Sequence, residues 1–339
     1  MKLLDKSSNN KKRKMTRQIK IPKGWEMPEE ELTPESIFLN RREALQAMGW
    51  VGAFSAGLLS GCAPGSNEAV NAHPETNLTA LEKNLYPAAR STRYKMDRRI
   101  TDEAVAASYN NYYEFSEVKE DVDHHAQKLI TRPWQVEVTG LVEKPRTYDL
   151  DDFLKMFQLE ERFYRLRCVE AWAMAVPWTG FPLKALLDQV QPLSNAKYVR
   201  MVSFHEPFTA QGQLAFWQPW PYAEALTVEE AMNELTILAT GIYGHPLPKQ
   251  HGAPVRLVVP WKYGFKSIKA IQRIELIDYK PQTFWNTLQP HEYGFTANVD
   301  PGVPHPRWPQ TKEKMIGTGE IRLTQLYNGY SNFVADLYA

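Results

Sequence analysis

The stretch Arg165-Leu166-Arg167-Cys168-Val169-Glu170-Ala171-Trp172 places one of only two cysteines in the chain at the end of a candidate strand. Tyr164, Leu166 and Cys168 fall on one face of that strand, and Phe163, Arg165 and Arg167 on the other. A lone cysteine is ordinarily an inert buried hydrophobe. Two arginines beside it favour the thiolate, and a thiolate at a strand end is well placed as a soft ligand to a redox metal. Glu170 shares the cysteine's face if the strand continues. There it either orders the site or is a solvated or arginine-paired carboxylate. The following Ala175–Pro182 reads as a loop.

Working outward, short strands and short helices mix without repeats. Trp134, Val136 and Val138 alternate with polar residues, as on a half-buried strand. Asp149 opens a helical run through Phe153 and Phe157. Pro182 sits at a helix start, and Leu183, Leu186, Leu187 and Val190 keep helical spacing. Tyr198 to Phe204, the alternating Val255, Leu257 and Val259 up to Pro260, and Ile274 with Leu276 read as further strands. The 24 prolines imply many irregular loops. The expected class is α+β, a mixed and loop-rich sheet assembly.

A second segment carries chemistry. His251-Gly252-Ala253-Pro254-Val255-Arg256 is followed by Trp261-Lys262-Tyr263-Gly264-Phe265-Lys266-Ser267-Ile268-Lys269. It is either a basic surface loop or an anion site, in which closely spaced lysines, glycine and serine surround a phosphate. Neither a Walker loop nor a dinucleotide fingerprint has this glycine spacing, so the phosphate would belong to another cofactor. His124-His125 lacks further ligands at metal spacing and reads as a surface loop.

The N-terminal part has a different character. Residues 1–62 hold 11 Lys and Arg against 7 Asp and Glu, whereas the remainder is mildly acidic, and the whole chain carries a net charge of +1. Nothing in that balance suggests a nucleic-acid partner. Residues 44–62 are free of charge, rich in Gly, Ala and Ser, and follow Arg41-Arg42 after the single residue Glu43. The length just permits a membrane span. A twin arginine before a weakly apolar segment is instead the address of the Tat pathway, which exports folded, cofactor-loaded proteins. Leu59-Ser60-Gly61-Cys62 matches a lipoprotein cleavage box, with acylation of Cys62 an open alternative. The two cysteines could form one disulfide in an exported protein, but each has this other use. The expected organisation is a leader and signal over 1–62, a linker over 63–79, and one catalytic domain over 80–339.

Taken together, Tyr109-Asn110-Asn111-Tyr112-Tyr113-Glu114-Phe115, Arg167-Cys168-Val169-Glu170-Ala171-Trp172, Gly252-Ala253-Pro254-Val255-Arg256 and Pro260-Trp261-Lys262-Tyr263-Gly264-Phe265-Lys266 resemble the MsrP-type methionine sulfoxide reductases. The resemblance runs from about residue 80 to the C-terminus, and includes the twin arginine. It implies the molybdopterin-binding domain of the sulfite-oxidase superfamily, with one Mo-molybdopterin per chain and Cys168 as the protein ligand to molybdenum. Asn110, Tyr113, Glu114, Ser203, His251, Arg256, Ser267, Ile268 and Lys269 match the family's cofactor-binding positions. Ser203 stands where the family carries Thr and keeps the hydroxyl. His251 stands where it carries Asn, and its charge is expected to depend on pH.

The implied reaction is reduction of protein-bound methionine sulfoxide in the periplasm by oxygen-atom transfer to molybdenum, with Cys168 and Glu170 at the reacting centre. Oxidised envelope proteins would be the substrates. Electrons would come from a membrane haem partner resembling MsrQ, linked to quinol, since no haem motif is present. The competing readings are another superfamily molybdoenzyme, acting on sulfite, nitrate or other S- and N-oxides, and a non-catalytic exported binding lipoprotein. The former usually carry an immunoglobulin-like domain after the cofactor domain, for which the sequence ending at Ala339 leaves no room.

Overall fold

The computed structural model describes residues 78–339. The expected leader, with Arg41, Arg42 and Cys62, and most of the expected linker lie outside the described residues. Three short helices come first: α1 (Ala80–Leu85), α2 (Glu103–Ala107) and α3 (Val122–Ala126). The start of α1 is fixed by a capping box, in which Thr79 and Glu82 satisfy each other's free backbone donors. His124 and His125 lie on α3, not in a loop.

The remaining chain builds two mixed sheets. Its elements are β1 (Gln135–Gly140), β2 (Arg146–Asp149), α4 (Leu150–Met156), β3 (Glu160–Arg167), β4 (Trp172–Pro182), α5 (Leu183–Val190), β5 (Tyr198–Ser203), β6 (Ala223–Thr227), α6 (Val228–Met232) and β7 (Ile237–Ile242). They continue with β8 (His245–Pro246), β9 (Arg256–Val258), β10 (Ile271–Ile277), α7 (Phe284–Leu288), β11 (Lys312–Met315), β12 (Ile321–Leu323) and α8 (Ser331–Val334). One sheet runs β2-β1-β10-β5-β6. The other runs β12-β11-β4-β7-β8, with β3 paired to β4 and β9 to β7. Each contains a parallel pair, β1 with β10 and β11 with β4.

The alternation of β1 has its expected cause: Val136 and Val138 are buried while Gln135 and Glu137 face solvent. Helix α5 begins directly after Pro182, whose ring cannot donate within the first turn. Leu183, Leu186, Leu187 and Val190 are all fully buried, each stabilising the fold by about 2 kcal/mol before conformational entropy is counted. The helix stops where Gln191 turns left-handed.

Ala175–Pro182 is not a loop. It is most of β4, the longest strand, buried along nearly its whole length. A strand covered on both faces has no polar alternation to announce it, and its prolines and glycine mimic loop composition. Gly180 is there because β7 passes too close for a side chain: an added Cβ would lie 2.2 Å from Leu238 O. Among the described residues, no helix is long and apolar enough to cross a membrane.

Candidate active site

A cleft opens where four pieces of backbone meet. They are the segment after α2, the turn between β3 and β4, the residues around the start of β9, and the loop before β10. Asn110, Tyr113, Glu114, Cys168, Glu170, His251, Arg256, Ser267, Ile268 and Lys269 all line it, although they span most of the described chain. Ser203 does not reach the wall. Its hydroxyl, at the end of β5, donates to Lys269 O at 2.8 Å and contacts Ala270 O at 3.2 Å, so it braces the loop from behind.

Cys168 sits in a tight turn between two antiparallel strands. Its N–H donates to Trp172 O, Ala171 N–H donates back to Cys168 O, and Ala171 takes a left-handed φ of 67°. That turn, not strand alternation, brings Glu170 to the sulfur. Glu170 Oε2 is 3.6 Å from Cys168 Sγ, and accepts from Asn111 Nδ2 at 3.1 Å and Trp172 Nε1 at 3.0 Å. Lys119 Nζ lies 3.3 Å from its other oxygen. Burial opposes ionisation of Glu170, but bonds from Trp172 and Asn111 and the Lys119 charge hold its carboxyl below the ordinary value. Glu170 is therefore neither freely solvated nor paired with arginine.

The neighbouring arginines do not act as expected. Arg165 points outward to Asp97 and Gln325. Arg167 is fully buried and donates to the carbonyl of Cys168. Burial, then the Glu170 charge, pushes the Cys168 thiol up to about 12, so the protein alone keeps it protonated. A thiolate here needs a metal cation as its partner.

The phosphate-like half of the cleft is built from fewer lysines than the sequence implied. Lys262 turns into the core and pairs with Glu230 at 2.5 Å, and Lys266 pairs with buried Glu224. Only Lys269 of the three faces the cleft, with Nζ donating to Asn111 O at 2.7 Å. Burial pushes the Lys269 ammonium below its ordinary value and the carboxyl of Glu114, which interacts with it, above its own. Arg256 lies over the Trp178 ring and spends its nitrogens on the carbonyls of His251, Leu257 and Ser267. Gly252 is required, because its φ is 94° and a Cβ would strike Lys269. His251 is also corrected: burial, then the Arg256 charge, pushes it down to about 3, so it stays neutral across the physiological range.

Three buried polar atoms of the cleft wall have no hydrogen-bond partner: Tyr112 Oη, Trp178 Nε1 and His251 Nε2. Such groups are costly unless a ligand or water satisfies them. Together with the basic side chains of Arg256 and Lys269, they fit a large, polar, anionic group, as a pterin phosphate is. Asn111, Trp178 and Trp172 were not singled out from sequence. Asn111 stood beside Asn110 in the same motif, but Asn110 turns its carboxamide back to Ala107 O at 2.7 Å, while Asn111 reaches Cys168 Sγ at 3.4 Å. No sequence signal distinguishes the two.

A buried thiol beside a wall that carries Arg256 and Lys269 suits a cofactor-dependent oxidoreductase, and comparison with known proteins gives that class: residues 123–285 match the oxidoreductase molybdopterin-binding domain family. The chain is 45% identical to the protein-methionine-sulfoxide reductase catalytic subunit MsrP of Burkholderia mallei, over 93% of this chain and 94% of that protein. It is also 45% identical to the MsrP of Pseudomonas syringae pv. tomato, over 95% of this chain and 97% of that one. The chain belongs to the MsrP family of molybdopterin-dependent oxidoreductase catalytic subunits. Among solved structures, the sulfane dehydrogenase SoxCD of Paracoccus pantotrophus overlays with a TM-score of 0.44 at 16% identity, covering 82% of this chain and 64% of that one.

Proposed function

We propose that the protein reduces methionine sulfoxide within other proteins, using Mo-molybdopterin held in this cleft. When bound, the cofactor supplies two-electron oxygen-atom transfer. Cys168 is the metal ligand. Arg256, Ser267, Ile268 and Lys269 hold the phosphate end, and Asn110, Tyr113, Glu114 and His251 line the pterin, with Ser203 bracing them through the Lys269 carbonyl. The observation that carries the reading is the set of groups at the sulfur: Asn111 Nδ2 at 3.4 Å and Glu170 Oε2 at 3.6 Å. A carboxylate held ionised there disfavours an anionic substrate such as sulfite or nitrate and tolerates a neutral sulfoxide. Its partner Lys119 is part-exposed, and the pair offers Oε1 and Nζ as a proton route between Glu170 and solvent.

The twin arginine supports export by the Tat pathway to the periplasm, with the membrane reached through a partner or an acylated Cys62. The relatives are named as catalytic subunits, which implies a further subunit. We infer a membrane haem protein as electron donor and oxidised envelope proteins as substrates. In such proteins, sulfoxide formation puts a polar group into apolar packing. The test is metal and pterin analysis of the purified protein with parallel assays on sulfoxide, sulfite and nitrate. One molybdenum per chain and turnover of the sulfoxide alone is the expected result. Preferred turnover of sulfite or nitrate would overturn the substrate, and a metal-free protein the whole reading.

A further inference from the structure

The turn that carries Cys168 is held from behind by chain that comes more than 130 residues later. Arg167, fully buried, donates Nη1 to Cys168 O and Nη2 to Gln310 Oε1 at 2.7 Å. Gln310 is itself buried and donates Nε2 to Val169 O at 2.6 Å, an acceptor it shares with Trp308 Nε1 at 2.8 Å. One carboxamide thus closes a ring through two consecutive carbonyls of the turn, accepting at one end and donating at the other. Lys314 N–H takes the third carbonyl, that of Ala171, at 2.9 Å. Behind the ring, Glu313 lies 3.2 Å from Arg167 Nε and 2.5 Å from Arg98 Nη1. The side chains of Arg167, Gln310, Glu313 and Arg98 are all buried.

We propose that Gln310 is a positioning residue for the molybdenum ligand: it fixes the two peptide planes flanking Val169, and through them the direction in which Cys168 presents its sulfur. The inference rests on Cys168 being the ligand. Partners one step removed from a metal orient its ligands and tune its electronics, and here the side chains that hold the carbonyls of Cys168 and Val169 are Arg167 and, from the C-terminal segment, Trp308 and Gln310. Gln310 does not itself line the cleft or touch the sulfur, so it acts through the turn, whose Val169 is part of the wall.

The experiment uses the holoenzyme and reads the Mo(V) electron paramagnetic resonance signal of the partly reduced protein, with metal content, kcat and KM. The variants are Gln310→Leu, which removes both bonds, and Gln310→Glu, which keeps the acceptor for Arg167 and loses the donor to Val169 O. The added charge of Gln310→Glu faces the buried guanidinium of Arg167, which has Glu313 as its acidic partner, so this variant folds even if Gln310→Leu does not. Gln325→Leu is the control, since Gln325 serves the outward-facing Arg165 in the same C-terminal segment. Both Gln310 variants are expected to shift or split the Mo(V) signal and to lower kcat about 10-fold, with KM little changed. Loss of molybdenum from a folded, pterin-loaded variant also supports the proposal. An unchanged signal in fully loaded Gln310→Glu, or an equal change in Gln325→Leu, overturns it. A Cys168→Ser protein with the wild-type signal would instead refute the ligand reading, whichever way Gln310 behaves.

Discussion

His251 gives the cofactor-free protein a specific weakness to acid. Its ring is buried, and its pKa falls from the ordinary 6.5 to about 3, first through burial and then through the charge of Arg256. The unfolded chain binds a proton near pH 6.5, and the folded chain does not until near pH 3. Between those values the unfolded state holds more protons, so stability falls as pH falls, by about 1.4 kcal/mol per pH unit. From pH 7 to pH 5 the contribution of this one side chain amounts to about 2 kcal/mol lost. Its full effect is present above the unfolded value and is spent by the folded one. His251→Asn removes the titrating group and keeps a polar side chain. Urea unfolding of the cofactor-free wild type and His251→Asn at pH 7 and pH 5 isolates the difference, because every other titrating group is common to both. The wild type is expected to lose about 2 kcal/mol more than the variant over that interval. Parallel losses, within about 0.5 kcal/mol, would falsify the assignment of a buried neutral imidazole.

Cys168→Ser is expected to abolish turnover while leaving a folded, pterin-containing protein, because a serine oxygen is a much harder donor than a thiolate; near-normal sulfoxide reduction by the variant counts against the ligand role. Lys262→Met and Lys269→Met separate the two kinds of lysine in one loop. The first strands buried Glu230 and costs about 3 kcal/mol in denaturant unfolding without loss of pterin, and the second loses pterin on gel filtration; the reverse pattern would contradict the placement of either side chain. Arg41→Lys with Arg42→Lys is expected to leave the precursor in the cytoplasm, read by cell fractionation, and unchanged export would remove the Tat assignment.

The sequence made the residues of the cleft legible where local pattern and chain order were enough. Cys168, the Tyr109–Phe115 segment and the Ser267–Lys269 segment converge on one cleft, and strands with one wet face, such as β1 and β10, stood out by alternation. Three things were hidden for physical reasons. The strand β4 is buried on both sides, so it has no period to read. In the loop from Trp261 to Lys269 the backbone is irregular, and no rule of spacing says that Lys262 and Lys266 turn to Glu230 and Glu224 while Lys269 turns to the cleft. The rear support of Cys168 comes from Trp308, Gln310 and Glu313, and hydrogen bonds across so long a stretch of chain leave no trace in local sequence. Glu170 was found for a reason that failed, since a turn with Ala171 left-handed, not a continuing strand, carries it to the sulfur.

The central claim is that the cleft serves methionine sulfoxide still attached to a polypeptide. Reduced holoenzyme offered an oxidised, unfolded protein and, separately, free methionine sulfoxide tests it most directly, through the two values of kcat/KM. A clearly higher value for the oxidised protein is the predicted result. Equal or better use of the free amino acid would contradict protein repair and leave a general sulfoxide reductase.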